Sequence, residues 1–421
     1  MGYKTLCFGF SCILFAYSVY SPVPENIEEP WKVRFMDAVI KMTSLVATLF
    51  ENIGLMKYEE VFFTVTALQF TEPVSDENIT VVDTNFRDIP VRLYLPKRKS
   101  ERQRPAIIFI HGGAFVLGSC SKCTFSVCVW HHSKSISFVS EMSAYDDLNR
   151  LTANKLDAVI VGIDYRLAPQ YPFPAALEDC VFVTKFFLQD KVLAKYGVDP
   201  AHICITGDSS GGTLVAAVIQ LLQNDPEFKD RIKAQALIYP GLQVLDTSLP
   251  SHREYEHGPV VSREMIIKLA SLYVTEDKTL LQALLRNEHM PPGSKDLFKF
   301  VNWSDFLPEK YKKNHVYREP ILGKLNASYP ALMDNRMSPL IANDSQLQSL
   351  PLTYVVTCEH DLIRDDSLIY ITRLRNVGVQ VTHDHIEEGI HGALSFTGAP
   401  VFLHLGLKIR EKYISWLKEN L

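Results

Sequence analysis

Two segments of the chain, 105–110 (PAIIFI) and 157–163 (DAVIVGI), are unbroken apolar runs, the pattern of parallel strands covered on both faces. Residues 89–95 (IPVRLYL) instead alternate apolar and polar positions, as a half-exposed strand does. The strand series continues at 202–206 (HICIT), 234–239 (AQALIY), 352–357 (LTYVVT) and 379–386 (VQVTHDHI), with helical stretches between at 211–223, 264–286 and 361–376. Strand–helix alternation of this kind predicts the α/β class, with one doubly wound and mostly parallel sheet. Residues 26 to about 75 carry helical spacing instead, with Trp31, Phe35, Val39, Ile40, Leu45, Leu49 and Ile53 as the apolar positions. Residues 241 to about 340 show no clear strand and are rich in Pro, charge and aromatics, too long for a plain connection. They predict a helical insertion over the carboxyl edge of the sheet.

The first twenty residues differ from everything that follows. After Lys4, the run TLCFGFSCILFAYSVY is uncharged through Tyr20 and is closed by Pro22, Pro24 and Glu25. It shows no polar face, so it reads as a signal peptide or a short signal anchor, with Ala16-Tyr17-Ser18 as a cleavage site. The basic residue before it and the acids after it send the rest of the chain out of the cytosol. The predicted organisation is therefore a targeting segment (1–20), N-terminal cap helices (21–75) and a catalytic domain (76–421) with its cap insertion at about 241–340. The expected location is the secretory pathway, either secreted or in the endoplasmic reticulum membrane in type II orientation. Membrane association through the N-terminal segment follows from the second alternative. Sequons at Asn78, Asn302, Asn326 and Asn343 fit that compartment, and Asn78, just before a predicted strand, is the foremost glycosylation candidate.

The composition is that of an ordinary globular protein: 421 residues, 47% hydrophobic and 22% charged. The 43 basic and 48 acidic side chains leave a net charge of −5, which provides no basic face for nucleic acid. The eight cysteines are too few for a disulfide-built scaffold but are unevenly placed, with Cys120, Cys123 and Cys128 close together. With His131 they have the residue types of a zinc site. An oxidising compartment favours disulfides, however, and the segment lacks the flanking hairpin and helix of a finger, so no metal is expected.

Chemistry concentrates at strand ends. Gly207-Asp208-Ser209-Ser210-Gly211-Gly212 stands between a predicted strand and an apolar helix, the setting of a nucleophile elbow with Ser209 at its tip. A helix N-terminus beside that serine favours developing negative charge. His111-Gly112-Gly113-Ala114 follows the strand 105–110, where backbone amides of Gly112 and Gly113, with that of Ser210, would form an oxyanion hole. His111 ends a buried strand and is expected to be structural. A serine nucleophile needs a base and the base an orienter. Asp361 follows the strand 352–357, and His391 sits between glycines after the strand 379–386. Asp365 and Asp366, on the next helix, are expected to face solvent, and His383 and His385 to be packing residues. His360 precedes the loop.

These residues, together with Asp164-Tyr165-Arg166-Leu167-Ala168-Pro169, Phe173-Pro174-Ala175-Ala176 and Asp179, resemble the arylacetamide deacetylases of the hormone-sensitive-lipase branch of the α/β hydrolases. The resemblance runs from about residue 25 to the C-terminus. It implies an eight-stranded α/β-hydrolase fold with a helical cap, a Ser209–Asp361–His391 triad, and hydrolysis of carboxylic esters or arylacetamides through an acyl-enzyme without a cofactor. The partners it implies are small-molecule ester, amide or lipid substrates. Two departures stand out. Ala114 replaces the family's third glycine, and the stretch 120–143 is about 20 residues longer than the family pattern. Relatives also pair a cysteine two residues after the oxyanion loop with one at the position of Cys358. Here that first position is Val116, and Cys120 is the substitute partner. The insert beside the oxyanion loop leaves an alternative open, a catalytically impaired binder of small molecules or lipids on the same fold.

Overall fold

The computed structural model describes residues 22–67, 73–120, 144–323, 325, 329–398 and 402–421. The targeting segment 1–20, the Cys123, Cys128 and His131 cluster and the Asn326 sequon lie outside these residues.

Eight strands form one sheet: β1 (Ile79–Phe86), β2 (Ile89–Pro96), β3 (Arg104–Ile110), β4 (Val159–Ile163), β5 (Val198–Asp208), β6 (Ala234–Ile238), β7 (Leu352–His360) and β8 (Val381–Ile390). Their spatial order is β1-β2-β4-β3-β5-β6-β7-β8. β2 pairs antiparallel with both neighbours, and every later pairing is parallel. The apolar runs are buried on both faces, as their patterns predict, because successive side chains divide between two cores. On β3, Ala106, Ile108 and Ile110 enter one core while Ile107 and Phe109 enter the other. β2 departs from the half-exposed expectation. Its polar position Arg92 is buried, and it is held by Asp83 at 2.6 Å and Asp146 at 3.0 Å.

The helices the site depends on are α1 (Pro30–Asn52), α2 (Tyr58–Ala67), α3 (Ala144–Leu156), α4 (Ala175–Phe187), α5 (Ser210–Gln223), α6 (Arg263–Ser271), α7 (Lys278–Leu285), α8 (Arg364–Asn376) and α9 (His404–Asn420). Residues of α4, α5 and α8 pack on one face of the sheet, and those of α3 and α9 on the other. The single helix expected over 264–286 is two. It breaks at 272–277, where Asp277 accepts the Thr279 N–H and caps α7.

α6 and α7 belong to the inserted region, which joins the N-terminal helices. The Lys268 ammonium lies 2.6 Å from Glu51 and 3.7 Å over the Tyr58 ring. Buried Asp37 on α1 accepts the Val260 N–H at 2.9 Å. Asp365 and Asp366, expected in solvent, are buried instead. Asp365 accepts the Ser251 N–H at 2.7 Å, and Asp366 accepts the Leu242 N–H at 3.0 Å and a Gln243 amide N–H at 2.9 Å. The polar start of α8 thus anchors the chain where it leaves β6 for the insertion.

Candidate active site

β3, β5, β7 and β8 each deliver one piece of the site at their carboxyl ends. β5 stops at Asp208 and α5 starts at Ser210, so Ser209 occupies the turn with φ +51° and ψ −124°. No β-branched or bulky residue suits that conformation. The turn closes only because its neighbours are glycines. A Cβ on Gly211 would stand 2.1 Å from the Ile110 carbonyl oxygen, and one on Gly207 would stand 2.5 Å from the same atom.

The Ser209 hydroxyl oxygen lies 2.9 Å from His391 Nε2, and His391 Nδ1 lies 2.9 Å from Asp361 Oδ2. β8 runs on through Gly389 and Ile390, so His391 is the first residue of the turn that follows the strand. All three side chains are buried. Burial pulls the His391 imidazole pKa down, but the Asp361 carboxylate against it and the nearby Asp208 charge pull it up, and the net is upward. The competing histidines lie elsewhere. His383 and His385 both contact the Thr357 hydroxyl, and His360 contacts Asn26. His111 is buried, which pulls its imidazole pKa down, and it stacks on Tyr165 at 4.3 Å with Nδ1 2.8 Å from the Gly112 carbonyl.

The loop after β3, expected to form the oxyanion hole, departs from expectation at Gly112. The Gly112 N–H is not free: it donates to Asp208 Oδ1 at 2.9 Å. A hydrogen already committed to a carboxylate cannot serve an oxyanion. Among the described residues, the N–H groups of Gly113 and Ala114 have no protein partner. The same holds for Ser210 at the first turn of α5, where helix amides are unpaired by construction. Ala114 holds φ +55°, so its methyl sits in a conformation that favours glycine. Asp208 carries no assignment from sequence, yet it is central here. Its Oδ2 accepts the Tyr145 hydroxyl at 3.2 Å, and burial pushes its carboxyl up to about 6.

A cavity of about 120 Å³ opens from Ser209, Ala114 and Phe115, with apolar walls that include Val244, Ile266, Leu332 and Met337. Tyr273 of the inserted region stacks on Phe115 at 4.1 Å, so the cap closes directly on the oxyanion loop.

Residues 129–294 and 288–395 match the α/β-hydrolase fold family model. Arylacetamide deacetylase-like 2 of Homo sapiens is 58% identical over 421 residues, covering 100% of both chains. Arylacetamide deacetylase of Oryctolagus cuniculus is 45% identical over 421 residues, again covering 100% of each. The chain belongs to the arylacetamide deacetylase family of α/β hydrolases. A thermostable carboxylesterase cloned from a metagenomic library superposes with a TM-score of 0.55 at 25% identity, over 86% of this chain and 95% of that one. The fold and the class of a carboxylic ester hydrolase follow from that membership. The family-model match begins at residue 129, after the oxyanion loop, so the loop rests on its own geometry.

The expected Cys120–Cys358 disulfide is absent. Both are free, buried thiols, and burial pushes both pKa values well up. The cause is topological. Cys120 packs against Gly162 on β4 while Cys358 lies on β7 beside Gly389 of β8. Four strand spacings separate β4 from β7, roughly 19 Å, whereas a disulfide needs Cα atoms within about 7 Å. Among the described residues no group of three His, Cys, Asp or Glu side chains is placed to hold a metal ion. Asn78 is exposed in the turn before β1, whereas the side chains of Asn302 and Asn343 accept helix-capping bonds.

Proposed function

We propose that Ser209 is the nucleophile, His391 the general base and acid, and Asp361 the group that orients it, in hydrolysis of a carboxylic ester or an arylacetamide. The observation that carries this reading is the pair of 2.9 Å contacts linking Ser209, His391 and Asp361 behind the elbow. His391 Nε2 takes the hydroxyl proton as Ser209 Oγ attacks the acyl carbonyl. Asp361 keeps the other imidazole proton on Nδ1 and stabilises the charge that forms. The tetrahedral oxygen is held by the amides of Gly113, Ala114 and Ser210, each typically worth about 3 kcal/mol. His391 then protonates the departing alcohol or amine, and water, activated by the same imidazole, releases the acid. The apolar cavity takes the acyl or aryl group.

The N-terminal apolar run and the exposed Asn78 support entry into the secretory pathway, with the catalytic domain in the lumen or outside the cell. Removal of N-glycans with an amidase is expected to raise gel mobility, and Asn78→Gln to abolish one step of that shift.

The decisive test is a fluorophosphonate probe on the purified chain. Labelling at Ser209, lost in Ser209→Ala, is the expected result. A folded protein that stays unlabelled would make this chain a binding module rather than an enzyme.

A further inference from the structure

α1 turns its apolar stripe the wrong way for a core helix. Trp31, Phe35, Val39, Leu49 and Ile53 recur at helical spacing on one face, and they are 66%, 54%, 46%, 56% and 64% exposed. The opposite face, with Val33, Met36 and Ala47, is the buried one. Between α1 and α2 the stripe deepens into an open groove of about 360 Å³ lined by Phe35, Val39, Met42, Val46, Val61 and Val65. A contiguous exposed apolar surface of this kind marks an interaction site.

We propose that this face of α1, with its groove against α2, docks on a lipid surface. Three observations select a lipid over a protein partner. The groove offers no directional bonding: the hydroxyl of Thr43, the polar member of its wall, already donates to the Val39 carbonyl at 2.9 Å. A protein interface of this size would need polar anchors, and hydrocarbon needs none. Trp31 begins the stripe with Lys32 and Arg34 beside it, the residue types that settle at headgroup depth. Only nine residues, among them Glu25, Glu28 and Glu29, separate the uncharged run ending at Tyr20 from Pro30, so chain suited to hydrocarbon ends close to the stripe. No helix among the described residues is long and apolar enough to cross a membrane, so α1 lies along the surface rather than through it.

The docked face has a consequence for the site. α2 shares the groove through Val61 and Val65. With Glu60, Phe63 and Thr64 it also walls a cavity of about 500 Å³ that reaches His111, Val116 and Gly118 of the oxyanion loop. Docking would bring that cavity to the lipid boundary. The proposal does not depend on the reaction assigned above, because docking is read without turnover.

The test uses the full chain and phosphatidylcholine vesicles with acyl chains brominated near the headgroup. Bromine quenches tryptophan within contact range; of the four tryptophans, Trp303 and Trp416 are buried inside the protein, and Trp130 is replaced by Phe in every chain tested. Quenching is expected in the Trp130→Phe chain and is expected to disappear when Trp31→Phe is added. Val39→Glu/Leu49→Glu is expected to raise the lipid concentration for half-maximal quenching by about tenfold or more, while hydrolysis of soluble p-nitrophenyl acetate stays at the native rate. Both substituted positions are exposed, so the fold tolerates them, and an unchanged melting temperature checks this. Chain that co-sediments with vesicles while Trp31 stays unquenched would overturn the proposal. So would a lipid-free dimer, seen by light scattering, that the double variant abolishes. A native chain without esterase activity, with Trp31 quenched in the Trp130→Phe chain, would defeat the assigned reaction and leave the docking intact.

Discussion

Ser209 is held in a conformation that costs a non-glycine residue about 1–2 kcal/mol, and the surrounding glycines make it affordable. Gly211→Ala would drive a methyl into the Ile110 carbonyl at 2.1 Å, so loss of folded protein is expected, measured as soluble yield and melting temperature. Ser209→Ala leaves that strain in place, because it keeps a Cβ at the same φ. It is expected to keep the melting temperature while turnover of a p-nitrophenyl ester falls on the order of a million-fold. Motif, strand ends and chain order singled out Ser209, Asp361 and His391 in the sequence, and the structure brings these three side chains together. The Gly112 amide, expected among the oxyanion donors, is instead bound to Asp208. Nothing in the letters shows that Asp208 claims the Gly112 amide, since that bond joins residues ninety-six apart. Asp208 also shapes the pH dependence. The His391 pKa is raised above 6.5 and the imidazole must be neutral to act, so kcat/KM is expected to rise with pH through a midpoint above 6.5. Asp208→Asn keeps an acceptor for Gly112 but removes one upward pull on His391. The acidic limb is therefore expected to move to lower pH, read from a pH–kcat/KM profile. An unmoved limb would mean that the Asp208 charge does not reach the imidazole. Asp208 also contributes to stability. Its folded pKa of about 6 exceeds the ordinary carboxyl value, so its contribution is complete below about pH 4 and is lost as pH rises through about 6.

At the scale of elements, the parallel strands were readable because burial on both faces leaves no polar position to confuse the pattern. The helices were less so. Periodicity finds the apolar face of a helix but not what covers it, and α1 carries its stripe outward. The break between α6 and α7 had a signal in Thr275-Glu276-Asp277, a capping sequence inside an otherwise periodic stretch. The first turn of α8 misled for a different reason. Acidic residues at a helix start ordinarily face water, but here the start is buried under the insertion and its carboxylates are spent on backbone amides. Burial pushes Asp366 up to about 7, so much of it is protonated near neutrality. Asp366→Ala leaves the Leu242 amide without its acceptor and is expected to cost about 2–4 kcal/mol. Asp366→Asn, which resembles the protonated acid in shape and keeps an acceptor, is expected to cost less than half of that. Urea denaturation of the two variants checks the order, and equal losses would mean that volume rather than bonding matters there.

The whole molecule is a sheet whose carboxyl edge holds the chemistry and a cap that two distant parts of the chain assemble over it. Residue order made both parts visible as helical regions without strands, but not that they meet. Their junction depends on polar contacts between side chains of ordinary type, which carry no sequence signature. Asp37 is the clearest of these. It sits on α1 near the start of the chain, is 2% exposed, accepts the Val260 N–H from the inserted region at 2.9 Å, and pairs with Lys41 at 3.0 Å. Replacing it with Ala leaves a buried amide without an acceptor, at a cost of about 1–3 kcal/mol. The bond itself joins α1 to the insertion, and its loss leaves the Val260 side chain in the core it shares with Ile107 and Phe109, so the cost falls first on the attachment of α1 and α2. The expected result is therefore local. Hydrogen exchange is expected to quicken in α1, α2 and around Val260 while the amides of β3, β5 and β6 stay protected. Because Tyr273 of the same insertion stacks on Phe115 beside Ser209, the looser cap is expected to raise KM for a bulky ester more than it lowers kcat for a small one. A uniform rise in exchange across the sheet would instead mean that cap and core unfold as one unit.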